Sequence, residues 1–432
     1  EWQYWDLPYD VPTDEQITPN HAIEQLREEL SAAVRRQLTA DVPVGAFLSG
    51  GLDSSAVVSL ACDSVAPETL RCFTIGFQGH ATDTEGMGVD REFAQSMAQH
   101  LGVPLDTVWV GPEMINELAR ILYILDEPLA DPAPINSMLL CDRARQAGVK
   151  VLLSGTGGDD LFAGYRRHAA VLNERYWSWL PRLARRGLTA ASRHLPVRRA
   201  LPRRLAKAFR HADCDEQERL ARYFDWVPPG VFDNVYQPHV QQELVGQGHH
   251  SLDPLLAALD GLPPGTPALH RMLYLDGKFF LADHNLTYTD KTGMASGVEV
   301  RVPLLDRDLV TYAARMSPRL KQHGATGKWI FRKAMENRLP HNVIARPKLG
   351  FGAPLRHWLR GPLRPLVDDT LSTKSLRARG IFEPAAVARI IEANRAERID
   401  SAYPLFALIC IELWCRIFID PPTPSLDWQQ ET

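Results

Sequence analysis

No apolar run in this chain is both long and free of charge. The longest, from Leu405 to Ile419, contains Glu412 and Arg416. An acid–base pair at i,i+4 spacing fits a packed helix, so no membrane span and no membrane partner are predicted. Cysteine is sparse: there are six, at 62, 72, 141, 214, 410 and 415, with no CxxC pair and no Cys/His cluster. That leaves no framework for a zinc ribbon or a disulfide scaffold. It reads instead as buried thiols in a reducing compartment, the cytoplasm. Positive charge is not in excess either. The formal net charge is −4, which argues against attraction of the whole chain to nucleic acid. Internal repeats and low-complexity tracts are missing as well.

What is present begins with Ser49-Gly50-Gly51-Leu52-Asp53-Ser54-Ser55. An apolar run from Val42 to Leu48 precedes it, and a helix-like run from Ala56 to Ala61 follows. Strand, glycine-hydroxyl loop and helix start together form a phosphate cradle of backbone N–H groups. The two glycines permit close approach of the backbone, and the hydroxyls of Ser49, Ser54 and Ser55 add hydrogen bonds. Asp53 beside phosphates needs a cation and so suggests Mg2+. No Lys-Ser/Thr pair follows the glycines, so this is not the Walker pattern. A plain helix-capping turn is the competing reading of these residues.

The chain has 432 residues, 45% of them hydrophobic and 23% charged, a soluble, globular composition with more than one core. Ala22 to Leu38 reads as an amphipathic helix. Strands are predicted at Val44–Leu48, Leu70–Phe77, Thr107–Val110 and Lys150–Leu153. Helices are predicted at Ser54–Asp63, Asp90–Leu101 (capped by Asp90), Glu113–Leu125 and Asn136–Ala147. The alternation implies an α/β fold: a doubly wound parallel sheet with ligands at the carboxyl ends of its strands. A large, mainly helical C-terminal part completes the architecture. The expected division is 1–20 as an extended lead-in, 21–165 as the α/β core, 166–275 as a helical, Arg-rich region and 276–432 as the helical C-terminal part. In the Arg-rich region, Arg185, Arg186, Arg198, Arg199, Arg203 and Arg204 read as a solvated cationic face or an anion contact. Little aromatic interleaving supports base stacking there.

Three further segments carry chemistry. Val151 to Asp160 repeats the first loop's logic, an apolar strand ending in Ser154-Gly155-Thr156-Gly157-Gly158 and then Asp159 and Asp160. Asp159 is a candidate second Mg2+ ligand opposite Asp53. In Gly327-Lys328-Trp329-Ile330-Phe331-Arg332, Lys328 and Arg332 fall on one helical face and could meet an anion. Gly293 to Asp306, which includes Glu299 and Arg301, reads alone as a packed segment with an internal ion pair.

Taken in order, SGGLDSS, LLSGTGGDDLFAGYRR, DKTGMASGVEVRVPLLD, and GKWIFRKAM with RPKLGFGAPLRHWL resemble the synthetase domain of glutamine-dependent asparagine synthetases. Within the N-type ATP pyrophosphatases, that resemblance implies an adenine nucleotide alpha hydrolase-like fold. It implies an ATP-dependent, AMP-forming amide synthetase that adenylates a carboxylate, by default aspartate, and passes it to ammonia. ATP and Mg2+ are then the expected cofactors. Leu48 and Ile75 would flank the adenine, Ser154 and Gly155 would contact the nucleotide through backbone, and Asp53 and Asp159 would serve metal and pyrophosphate. Lys328 would stabilise the adenylate and the later intermediate.

The match departs from the family in two places. Glu1-Trp2-Gln3-Tyr4-Trp5 resembles the junction just before the synthetase half, so a truncated protein is expected. Ammonia from glutamine would then arise in a glutaminase domain outside this chain, or ammonia would come from a partner or from solution. Thr156 stands where the family usually carries Glu, and Asp160 replaces another Glu. A hydroxyl is no carboxylate base near neutral pH, so Thr156, with Glu299, marks an open substrate side. An amidotransferase or cyclase acting on a sugar or peptide carboxylate is the alternative within the family. From another class, a tRNA-modifying ATP pyrophosphatase competes, and an ATP-binding scaffold without activity is the third reading. Nucleic acid is not the expected partner, and a homodimer is left open.

Overall fold

A computed structural model describes residues 2–77, 88–192, 194–195, 200–225, 227, 231, 234–246, 251–348 and 352–420. Arg198 and Arg199, the side chains of Arg203 and Arg204, and residues 349–351 of the RPKLGFG segment lie outside the described residues.

Helix α1, Pro19–Gln37, starts where Thr18 caps it by accepting from His21 N–H, with proline in the first turn and Arg35 and Arg36 in the last. Its buried ridge is Ala22, Leu26, Leu30, Ala33 and Val34. Arg27 fixes its crossing by donating to the Ala334 carbonyl at 2.9 Å and the Lys333 carbonyl at 3.2 Å. Strand β1, Val44–Phe47, leads through the Ser49 loop into α2, Leu52–Ala61, which is buried on nearly every side. Strand β2, Cys72–Phe77, helix α3, Gly88–Leu101, and strand β3, Leu105–Val110, follow. The chain returns through α4, Leu118–Leu125, and α5, Ala133–Gln146, to β4, Val151–Leu153. The short helix α6, Gly158–Phe162, comes next.

The sheet is parallel with strand order β3-β2-β1-β4-β5, where β5 is Glu299–Arg301. Successive strands step outward from β1 to β3, then the chain reverses and lays β4 on the other side of β1. That reversal opens a crevice beyond the carboxyl ends of β1 and β4, the place where open α/β sheets take ligands. Alternation along the strands feeds two cores. Phe73, Ile75 and Leu152 face one, shared with α4, α5 and the helix Ala402–Phe418. Ala46, Leu48, Cys72 and Leu153 face the other, shared with α1, α2 and the helix Trp329–Met335.

The predicted elements recur with shifted ends, apart from three differences. Pro112 to Glu117 forms a tighter 3₁₀ segment before α4 instead of one helix from Glu113, because Glu113 turns back to accept from Gly111 N–H at 2.9 Å. The fifth strand comes from the segment read as merely packed, and its pairing to β4 runs Val151 to Glu299 through Leu153 to Arg301. The expected boundary at 275/276 falls inside an unbroken helical stretch. Ala268–Leu275 passes through the wide-turned Asp276–Leu286 into Thr287–Ala295.

Leu30 is fully buried on α1. Leu30→Ala is expected to cost about 2–5 kcal/mol in denaturant unfolding, whereas the exposed Glu28→Ala stays within about 0.5 kcal/mol of the parent.

Candidate active site

The loop after β1 is shaped by its own hydroxyls. Ser49 N–H donates to Ser54 Oγ at 3.2 Å, and the Ser49 and Ser54 hydroxyls lie 3.0 Å apart. Gly51 N–H reaches Ser49 Oγ at 3.4 Å. Gly50 has φ +69°, and a Cβ there would lie 2.4 Å from Ala94 N, so the turn requires glycine. The first-turn N–H groups of α2, which have no intrahelical acceptors, open at the same place. Arg346 braces the loop from outside. It pairs with Asp90, covers the Phe93 ring at 4.2 Å and reaches the Ser49 carbonyl at 3.4 Å. Asp90, predicted as a helix cap, is instead this arginine's partner inside α3.

The second loop closes on itself in the same way. Ser154 N–H donates to the Arg301 carbonyl at 2.8 Å, and Ser154 Oγ lies 2.8 Å from Thr156 Oγ1. Thr156 N–H adds a bond to Ser154 Oγ at 3.2 Å. Asp159 and Asp160 then occupy the first turn of α6. Gly158 passes so close to the first loop that a Cβ would sit 2.5 Å from Asp53 Oδ1.

Between the loops stands Lys328. It precedes the helix Trp329–Met335 in the left-handed conformation, φ 54°, and its N–H donates to the Phe162 carbonyl at 2.9 Å. Such a conformation costs a lysine about 1–3 kcal/mol and aims its side chain away from the helical face predicted for it. Its Nζ lies 2.5 Å from Asp53 Oδ2 and 2.6 Å from Asp159 Oδ1. Lys348 Nζ meets Asp159 Oδ2 at 2.5 Å. Two carboxylates and two ammonium groups thus alternate across the crevice. Arg332, predicted to share an anion with Lys328, turns to the Gly327 carbonyl at 2.9 Å and the Arg346 carbonyl at 3.3 Å.

Electrostatics divides the carboxylates. Burial raises the pKa of Asp53, against the pull of Lys328. Burial also opposes ionisation of Asp159, but Lys328 and Lys348 together hold it well below the usual carboxylate range. Partial burial opposes the charge on Lys348, whose side chain keeps 40% of its surface exposed, and Asp159 and Asp53 override it and raise its pKa. Asp160 faces no such lysine contact. Burial, with Asp276 and Asp159 nearby, pushes it to about 8. Asp276 belongs to a supporting network. It is fully buried, pairs with Arg167 and lies 2.5 Å from His168 Nε2. His168 Nδ1 accepts from Tyr165 N–H at 3.2 Å, so Nε2 carries the proton it gives to Asp276.

The fit of the residues to Mg2+ rests on an orphaned carboxylate oxygen of Asp53. Asp53 Oδ1 is buried without a hydrogen-bond partner beside Gly158. Among the described residues no group of three or more His, Cys, Asp or Glu forms a metal cage. Two carboxylates completed by phosphate oxygens and water match the habit of Mg2+. Leu48 and Ile75 are both buried, but their side chains belong to different cores, Leu48 with α1 and α2 and Ile75 with α4 and α5. Glu299 is not brought to the cluster. It opens β5 at the amino end, beside Val151, half-exposed and paired with Arg301 at 2.8 Å. Sequence reading missed Lys348 and Arg346, although both lie in the quoted RPKLGFG segment.

The asparagine synthase family profile matches residues 25–416. The chain belongs to the asparagine synthase family. A putative glutamine-hydrolyzing asparagine synthetase of Mycobacterium tuberculosis H37Rv is 32% identical over 400 residues, 92% of this chain and 58% of that protein. Glutamine-hydrolyzing asparagine synthetase 1 of Bacillus subtilis is 28% identical over 411 residues, 94% of this chain and 61% of its own. A Penicillium rubens protein named amidase chyE is 25% identical over 444 residues, 90% of this chain and 61% of its own. The chain therefore spans about three fifths of the length of these relatives.

Asp160 carries the pH prediction. Its folded pKa lies above its unfolded value, so the fold loses stability as pH rises from about 4 through about 8. Asp160→Asn removes that loss. Its stability relative to the parent is expected to grow by up to about 1.4 kcal/mol per pH unit between pH 5 and 8. Parallel denaturant curves at the two pH values check it, and equal differences would refute it.

Proposed function

We propose that this chain is the synthetase part of an ATP-dependent, AMP-forming amide ligase. The observation that carries the reading is the alternating cluster Asp53, Lys328, Asp159 and Lys348, beyond the carboxyl ends of the paired strands β1 and β4. A carboxylate is a poor electrophile. Attack of its oxygen on the α-phosphorus of ATP forms a C–O–P linkage and breaks the α–β bridge, giving acyl-adenylate and pyrophosphate. Ammonia then adds to the acyl carbon, AMP departs with the C–O electron pair, and a proton is released.

The chain's residues supply position and charge for this reaction. The Ser49 and Ser154 loops offer N–H and hydroxyl donors to phosphate. Lys328 and Lys348 place positive charge where pyrophosphate forms, and the charge of Lys328 is buried, where it acts strongly. Lys328 also stands by the acyl-adenylate. Asp53 and Asp159 would hold Mg2+, which neutralises phosphate charge when bound. Leu48 and Ile75 are assigned to the adenine through the strand ends that carry them. Aspartate is the default acceptor, with ammonia drawn from glutamine. Thr156 favours a second reading, in which the carboxylate sits on a sugar or peptide. Its hydroxyl is tied to Ser154 and offers no base.

ATP–pyrophosphate exchange across a panel of carboxylates tests both readings. Exchange supported by aspartate alone favours the first, and exchange supported only by another carboxylate favours the second. Asp53→Asn and Lys328→Ala are each expected to lower exchange by roughly 10²- to 10³-fold. Unchanged exchange in either variant would refute the assignment, as would ADP in place of AMP as product.

A further inference from the structure

Between Glu174 and Asp213 the chain carries eleven Lys or Arg residues and no Asp or Glu, although its formal net charge is −4. The fold uses only part of this charge. Arg185 donates to the carbonyls of Leu180, Ala212 and Cys214. Arg182 and Arg186 are exposed and make no ion pair among the described residues. They lie one turn apart on the helix Arg182–Ser192, whose buried residues are Thr189 and Ser192.

Beside these arginines, three large side chains face solvent: Tyr176 at 65% exposure, Trp179 at 72% and Leu183 at 78%. The segment that presents them is anchored. Trp177 is buried, edge-on to Phe209 at 5.6 Å and under Arg219 at 5.4 Å. Trp179 Nε1 donates to the Tyr176 carbonyl at 3.1 Å, which fixes the turn. On the helix, Leu183 falls on the same side as Arg182 and Arg186, and Trp179 is exposed one turn's length before it in the chain.

We infer that this surface docks peripherally on an anionic lipid bilayer. Trp179 and Leu183 enter the boundary between headgroups and acyl chains, and Arg182 and Arg186 meet lipid phosphates. Charge complementarity supplies the attraction, at roughly 1 kcal/mol for each arginine near such a surface, which is about fivefold in partitioning. Exposed tryptophan and leucine flanked by arginine supply the apolar contact. Nucleic acid shares the charge requirement but not the apolar one. Leu183 cannot stack on a base. One face of Tyr176 is covered by Arg175 at 4.8 Å, which also donates to the Tyr176 hydroxyl at 2.7 Å. The expectation of no membrane partner rested on the lack of a spanning segment. No described helix is long and apolar enough to cross a membrane, and the contact inferred is peripheral.

The test is co-sedimentation of the full chain with vesicles of phosphatidylcholine, with and without about one third phosphatidylglycerol, at low and high salt. Binding is expected only to the anionic vesicles and is expected to weaken with salt. Arg182→Ala with Arg186→Ala should lower partitioning roughly 25-fold. Leu183→Ala, which leaves the Trp179 bond intact, should lower it too with no change in melting temperature or in pyrophosphate exchange, and adding Trp179→Ala should lower it further. Arg186→Glu, a single exposed change, gives a second reading of the charge term. No binding, or equal binding to neutral vesicles, would overturn the inference. So would tRNA binding indifferent to Trp179 and Leu183, or a lipid-independent dimer that their replacement dissolves.

Discussion

Two lysines and two aspartates alternate at the heart of this site, with Lys328 and Asp159 buried and Lys348 reaching in from the surface. Each charge removed from water costs several kcal/mol, and only a close opposite charge offsets it. Lys328 faces both Asp53 and Asp159, and Lys348 faces Asp159 from the other side. The four groups bear no net charge together, and removing any one leaves the cluster with an uncompensated charge. That constraint accounts for much of the local backbone. The second loop must pass Asp53 without a Cβ at Gly158. Lys328 must leave the helical conformation to aim inward, and the Phe162 carbonyl holds its N–H there.

Asp159 and Asp160 show how position outranks chemical identity. They are neighbours in one helical turn and equally buried. Asp159 is reached by both lysines and stays ionised. Asp160 looks toward Asp276 and the Tyr165 hydroxyl and keeps its proton near neutral pH. A protonated carboxyl group donates a hydrogen bond where an ionised one only accepts. The site therefore offers an anion and a neutral donor from adjacent residues, and Asp276, through Arg167 and His168, holds the second environment in place.

The sequence showed the parts that local physics dictates. Apolar runs ending in glycine and serine marked β1 and β4 and their loops, and periodicity marked α1. Motif order pointed to the family and to Asp53, Asp159 and Lys328. What stayed hidden depends on distant contacts. β5 is three residues long and mixed in polarity, so only its pairing with β4 makes it a strand. Glu299 looked like a site residue because it stands in a motif, yet it lies at the amino end of the sheet. Lys348 and Arg346 looked like ordinary cations until the fold brought Asp159 and Asp90 to them. Nothing local signals that Lys328 takes a left-handed backbone.

The partners of the central ion pairs are far apart along the chain. Lys328 and Asp53 are separated by 275 positions. During synthesis the first loop, the strands and α6 emerge long before the lysines that neutralise them. Until residues 328 and 348 leave the ribosome, Asp53 and Asp159 have no reason to be buried together. The two halves of the crevice must therefore remain unsealed through most of translation. Contacts of such long range are the slow ones in folding, and proteins of this size fold through intermediates. The crevice is accordingly among the last parts of the molecule to close, and a nascent chain stalled before Lys328 would carry both aspartates open to water.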